Sequence, residues 1–164
     1  MTYRSWRASR RTRLVEIAYL RDVAAWTWWS TLTFRGWVQR DRSRSALRSW
    51  LRGVARDLVG AHVTVAWILE PNRAGVDHAH ALLAVPEGKT LDRAAAEGLW
   101  RRVDDRAGFT QMVRYRAGGL SSDPRYGAAA YLGEKVDWNV TVACDRAPPC
   151  RRKGGCLVLS GPWF

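Results

Sequence analysis

The sequence predicts a single α+β domain in which antiparallel strands form a sheet and helices pack against it. Three observations carry this expectation. Runs rich in aromatic and β-branched residues recur at 26–38, 63–69, 79–85 and 109–116, which is strand composition. Between them, at 41–59 and from Thr90 to Gly108, apolar residues return every three or four positions, the period of a helix. The chain has 164 residues, enough for one proper core and too few to require two. No internal repeat or composition break marks a second domain.

The elements follow in order. Residues 1–13 (MTYRSWRASRRTR) hold five arginines and little that would pack. They read as a basic arm ahead of a domain over 14–164. Arg10, Arg11 and Arg13 are its candidate phosphate contacts, a solubilising tail being the other meaning. Residues 14–25 are expected to form a short helix with Leu14, Ile17, Ala18 and Leu20. The strand WTWWSTLTFRGWV comes next, its centre alternating hydroxyl and apolar side chains.

The helix over 41–59 carries one apolar stripe (Leu47, Trp50, Leu51, Val54, Leu58), with Gly60 as its C-terminal cap. Arg48, Arg52 and Arg56 recur every fourth residue on another face, either gripping a phosphate backbone or forming a solvated helix surface. Val63–Leu69 and Ala79–Val85 read as an antiparallel hairpin around a turn rich in Pro, Asn and Gly. Pro86-Glu87-Gly88 is a turn. Thr90 is the expected N-cap of a second helix that buries Leu91, Ala95, Leu99, Trp100 and Val103 and ends at Gly108. A strand over 109–116 follows. Asp123-Pro124 opens a third helix over 124–136, with Ala128, Leu132 and Val136 as its packing stripe. Val140–Ala143 and Cys156–Leu159 are expected as short terminal strands.

Charge narrows the partner. The chain carries 27 basic and 15 acidic residues, a net +12, with a pI near 10.7. That is the footprint of a polyanion binder, nucleic acid first. Ten tryptophans exceed what a core of this size needs, and some are candidates for stacking on unpaired bases. No apolar run approaches the ~20 residues of a membrane span. The Arg-rich start lacks an apolar signal core, so the expected compartment is the cytoplasm. Cys144, Cys150 and Cys156, spaced by six, suggest neither a disulfide framework nor, without a fourth ligand, a complete zinc site.

The chemistry concentrates in two places. Glu70 ends the first hairpin strand, and His78 and His80 open the second. Residues two apart on a strand share a face, so the two imidazoles stand side by side, with the carboxylate across the turn. These are three candidate ligands for one divalent ion. On the third helix Tyr131 and Lys135 are four apart and share a face. Small residues (Ala128–Ala130, Gly133) leave room around the tyrosine. A phenol beside an ammonium group suits attack on phosphorus, because the lysine favours the phenolate or neutralises the phosphate. Tyr126, five residues earlier, is the rival nucleophile on a different face.

The order of Ser30-Thr31-Leu32-Thr33-Phe34, then Glu70 with His78-Ala79-His80, then Tyr131 to Lys135 resembles the HUH endonucleases. More narrowly it resembles their rolling-circle replication initiators (Rep proteins) of small plasmids and single-stranded DNA viruses; in the Reps of circular single-stranded DNA viruses an acid eight residues before the first histidine also occurs. The likeness spans residues 27–137. It departs at Glu134, where many such proteins carry the lysine that here comes one position later, at Lys135.

The resemblance implies an antiparallel sheet of about five strands, related to the RRM and ferredoxin-like folds. It implies one Mn²⁺ or Mg²⁺ on Glu70, His78 and His80, and no nucleotide cofactor. Tyr131, assisted by Lys135, is expected to nick single-stranded DNA at a replication origin, leaving a 5′-phosphotyrosine link and a 3′-hydroxyl. The absence of a Gly-x-x-x-x-Gly-Lys loop implies a host helicase, and the 3′-hydroxyl implies a host polymerase. The setting would be the cytoplasm of a bacterial host or a virus-infected cell, with no membrane partner. Two other readings stand beside it. A single-tyrosine HUH transposase shares the same parts in the same order, though Glu70 on the hairpin favours the initiator. A noncatalytic single-stranded nucleic-acid-binding module would explain charge and tryptophans but not the Glu/His/His cluster.

Overall fold

A computed structural model of the protein describes residues 23–116, 128–133 and 139–143. These form one α+β domain with an open antiparallel sheet. Its long strands are β1 (Trp28–Phe34), β2 (Val63–Pro71), β3 (Asp77–Ala84) and β4 (Ala107–Arg114). They lie side by side in the order β4-β1-β3-β2, and a short segment, β5 (Asn139–Ala143), pairs along the outer edge of β2. The helices are α1 (Arg40–Gly53), extended by a π-helical turn at Val54–Val59, then α2 (Arg93–Val103) and the short α3 (Ala128–Gly133).

Alternation decides which face is the main core. Along β1 every second residue is buried, from Trp28 through Ser30 and Leu32 to Phe34. These side chains, with Val65 and Leu69 of β2 and Ala79 and Leu83 of β3, pack against Leu47, Trp50 and Leu51 of α1 and Trp100 of α2. The opposite face carries a smaller cluster in which Trp26, Ala66, Ile68 and Leu82 pack against Leu132 of α3. Because both faces are covered at its centre, β2 is buried continuously from Val65 to Leu69.

Two indole N–H groups lace the helices to the sheet. Trp50 Nε1 donates to Ala96 O at 2.8 Å and Trp100 Nε1 to Thr33 O at 3.0 Å. The second bond falls where the β1–β4 register shifts, between Leu32 and Phe34, so it satisfies a carbonyl at an interruption of the strand ladder.

Several boundaries differ from the sequence expectation. The π-helical turn rotates the stripe of the first helix, so Ala55 and Val59 are buried and Leu58 is only partly so. Gly60 does close this helix, with a left-handed φ of 65°. The second helix is capped by Asp92, not Thr90, because the aspartate accepts from Ala94 N (2.8 Å) and Ala95 N (3.2 Å). It ends at Val103, not Gly108. Asp104 is extended there, and its carboxylate takes Arg42 Nε and the Arg106 amide. Gly108 lies within β4 instead, where a Cβ would sit 2.8 Å from Thr33 Oγ1 and 3.0 Å from the Phe34 backbone. Of the helix expected at 14–25, residues 23–25 are bend and coil and 14–22 lie outside the described residues. The third helix is described from 128 to 133 only, and Cys156–Leu159 falls outside.

Candidate metal centre and its tyrosine

The hairpin's register assembles the candidate ligands. Glu70 is paired with His78 and Ile68 with His80, and directly opposed residues of an antiparallel pair project to the same face. Asn72 holds the turn that sets this register. Its side chain accepts from Ala74 N and Val76 N, at 2.8 and 3.0 Å, and Gly75 takes a φ of 76°. Arg40, at the start of α1, braces the same end of the hairpin from the other face. Its guanidinium donates to Asp77 Oδ1 at 3.1 Å and to Leu69 O at 2.6 Å, so it grips the neighbours of His78 and Glu70.

Glu70 Oε1 stands 3.4 Å from His78 Nε2 and 3.8 Å from His80 Nε2. One ligand atom from each residue lies within 4.8 Å of the other two. Adjacent ligands of an octahedral ion with bonds of about 2.1 Å stand roughly 3 Å apart, so a small contraction would bring the three donors to bonding distance. Two imidazoles and a carboxylate form a borderline-hard set that suits a first-row divalent ion or Mg²⁺. The three side chains retain between 14% and 19% exposure, which leaves the site open on one side.

Tyr131 reaches this cluster from α3. Its hydroxyl donates a hydrogen bond to Glu70 Oε1, and its ring meets His80 edge-on at 5.2 Å. Leu132, its neighbour on α3, is fully buried against the sheet and so holds the tyrosine's end of the helix down. The Glu/His/His set of one hairpin and Tyr131 of a helix about fifty residues further on therefore converge.

Other candidates stand elsewhere. Arg48, Arg52 and Arg56 are exposed on α1 and its π-helical extension, over the face of the sheet opposite to Glu70, His78 and His80. Arg48 and Arg52 line a shallow groove with Asp41, Arg44 and Ser45. Arg56 is engaged by Asp57, whose carboxyl is held below the usual carboxylate range by that hydrogen bond. Lys135, Tyr126, Arg10, Arg11, Arg13 and the three cysteines lie outside the described residues.

Sequence reasoning gave no role to Trp29, although it stacks on His80 with centroids 5.1 Å apart and planes 8° apart. It gave none to the Thr31 hydroxyl, which sits 3.1 Å from His80 Nδ1. The alternation of Trp29, Thr31 and Thr33 along β1 was the available signal, since it puts all three on the histidines' face once β1 pairs with β3.

Among the described residues no helix is long and apolar enough to cross a membrane. No family model matches the chain, and neither a curated protein nor a solved structure matches it significantly.

Proposed function

We propose that the protein is a metal-dependent nuclease and strand transferase for single-stranded DNA, a rolling-circle replication initiator of the HUH kind on that superfamily's five-stranded sheet. The observation that carries this reading is the hydrogen bond from the Tyr131 hydroxyl to Glu70. It sets a candidate nucleophile against a candidate metal ligand, as attack on a metal-activated phosphate requires.

In this mechanism the Tyr131 phenolic oxygen attacks the scissile phosphorus in line. An oxygen–phosphorus bond to the tyrosine forms, and the phosphorus bond to the 3′ oxygen breaks. The phenolic proton leaves on the Glu70 side and the 3′ oxygen takes up a proton, giving a 5′-phosphotyrosine and a 3′-hydroxyl. Glu70, His78 and His80 would hold Mn²⁺ or Mg²⁺, which would supply Lewis-acid polarisation of the phosphate when bound. Lys135 favours the phenolate or offsets phosphate charge. The phosphotyrosine keeps one ester bond for each one broken, so the reverse reaction rejoins strands without a nucleotide cofactor.

The partners follow from this chemistry. A tyrosine on a helix cannot reach into a stacked duplex, so the substrate is unpaired or extruded DNA at an origin, opened by a host helicase and extended by a host polymerase. The net charge of +12 supports a salt-sensitive backbone grip, with Arg10, Arg11, Arg13, Arg48, Arg52 and Arg56 as contacts.

The test is a denaturing-gel assay with Mn²⁺ and a randomised single-stranded DNA pool. Wild type is run beside Tyr131→Phe and Tyr126→Phe. A heat-stable protein–DNA adduct that disappears only in Tyr131→Phe is the expected result. Loss only in Tyr126→Phe moves the nucleophile. No adduct from any origin-length pool, with tight DNA binding intact, replaces the nuclease by a binding module.

A further inference from the structure

We infer that Thr31 and Trp29 of β1 are positioning residues that pre-set His80 as a metal ligand. The inference rests on the metal-site reading above and concerns residues that offer the ion no ligand of their own.

An imidazole can bind a metal through Nε2 only if Nε2 carries a lone pair, which in the neutral ring requires the proton on Nδ1. His80 Nε2 faces Glu70, and its Nδ1 lies 3.1 Å from Thr31 Oγ1. A hydroxyl at that distance can accept from Nδ1–H or donate to a bare Nδ1; in the proposed arrangement it accepts, which holds the tautomer that leaves Nε2 available. The contact is built into the fold, because Thr31 and His80 are direct cross-strand partners.

Trp29 fixes the ring's orientation. It lies two residues before Thr31 on the same face, and its indole is within 8° of parallel to the His80 ring. Rotation of His80 out of its plane about χ2 would break that stacking, and a half-turn, which keeps the plane, would break the Thr31 contact. His78 lacks such a setting: its Nδ1 is buried without a hydrogen-bond partner among the described residues. The two histidines are therefore unequal, His80 prepared and His78 adaptable.

The experiment uses the full chain and two readouts. Long-range ¹H–¹⁵N NMR of metal-free protein, at a pH where the histidines are neutral, reports the His80 tautomer. Calorimetric titration with Mn²⁺ alone reports affinity. Wild type should show His80 with its proton on Nδ1. Thr31→Val, which keeps shape and strand preference, should give a mixed or reversed tautomer and bind Mn²⁺ about 10- to 100-fold more weakly. Thr31→Ser should restore both. Trp29→Leu should weaken Mn²⁺ binding while leaving the tautomer as in wild type.

A wild-type His80 protonated on Nε2, or a Thr31→Val protein that binds Mn²⁺ as tightly as wild type, overturns the role of Thr31. Unchanged affinity in Trp29→Leu overturns that of Trp29. Wild type that binds no Mn²⁺ overturns the metal reading itself, a result distinct from either.

Discussion

Arg40 offers the sharpest test of how the site is held. Its guanidinium spans Asp77 Oδ1 and Leu69 O, and the Asp77 side chain is only 8% exposed against 43% for Arg40. Arg40→Ala would leave a carboxylate with little access to water and no other hydrogen bond to its side chain among the described residues. Breaking a fully buried pair costs about 3–5 kcal/mol and an exposed one about 0–1. With one partner buried and the other in water, about 2 kcal/mol is expected. For a chain of this length that is a fall in Tm of about 4–8 °C. Urea denaturation at neutral pH measures it, and a cycle with Asp77→Asn isolates the pair. Since Leu69 and Asp77 adjoin Glu70 and His78, the same variant should also bind Mn²⁺ more weakly. A loss of stability within about 0.5 kcal/mol, the range of an ordinary surface substitution, would refute the clamp.

Three further outcomes follow from the same structure. Gly108→Ala should destabilise by about 1–3 kcal/mol, read by thermal melting, because its Cβ would meet the Phe34 backbone at 3.0 Å, which cannot swing aside. The Asp104 carboxyl is held below its ordinary range by the hydrogen bond from Arg42. The stability that this bond contributes is therefore present at neutral pH and lost as pH falls through the carboxylate range. Arg42→Ala should lower urea midpoints at pH 7 and make progressively less difference as pH falls below the ordinary carboxylate range and through the depressed pKa of folded Asp104, and an undiminished effect at the acid end would count against the assignment. Replacing Arg48 and Arg52 by Gln should lower the slope of log affinity for single-stranded DNA against log salt by about 1.4, or 0.7 for each phosphate contact. An unchanged slope would make that face a solvated one.

The Glu/His/His cluster was legible because a strand's period of two is rigid. Once Val63–Leu69 and Ala79–Val85 were read as a hairpin, His78 and His80 had to share a face, and only the register of Glu70 stayed open. The Asn72 turn supplied it. Local chemistry that competes among near neighbours was harder to read. Thr90 and Asp92 are both acceptable caps, and the choice went to the one whose carboxylate meets two free amides. The Leu58 stripe failed for a different reason. A π-helical turn adds residues to one helical repeat, and nothing in the spacing of Leu47, Trp50, Leu51 and Val54 announces it.

The sides of the sheet could not be read from any single segment, yet they decide how the basic surface relates to the chemistry. The helix at 40–53 must cover one face, because its stripe of Leu47, Trp50 and Leu51 needs the apolar side of β1, and that side is set by Trp28, Leu32 and Phe34. The intervening residues, Trp29 and Thr31, then face the other way, towards His80. The α1 arginines and the Glu/His/His cluster thus lie on opposite sides by the same alternation. In the proposed mechanism those arginines cannot hold the scissile phosphate itself. They would engage a stretch of strand that has passed around an edge of the sheet, so their loss should weaken binding and its salt dependence while sparing the step carried out by Tyr131.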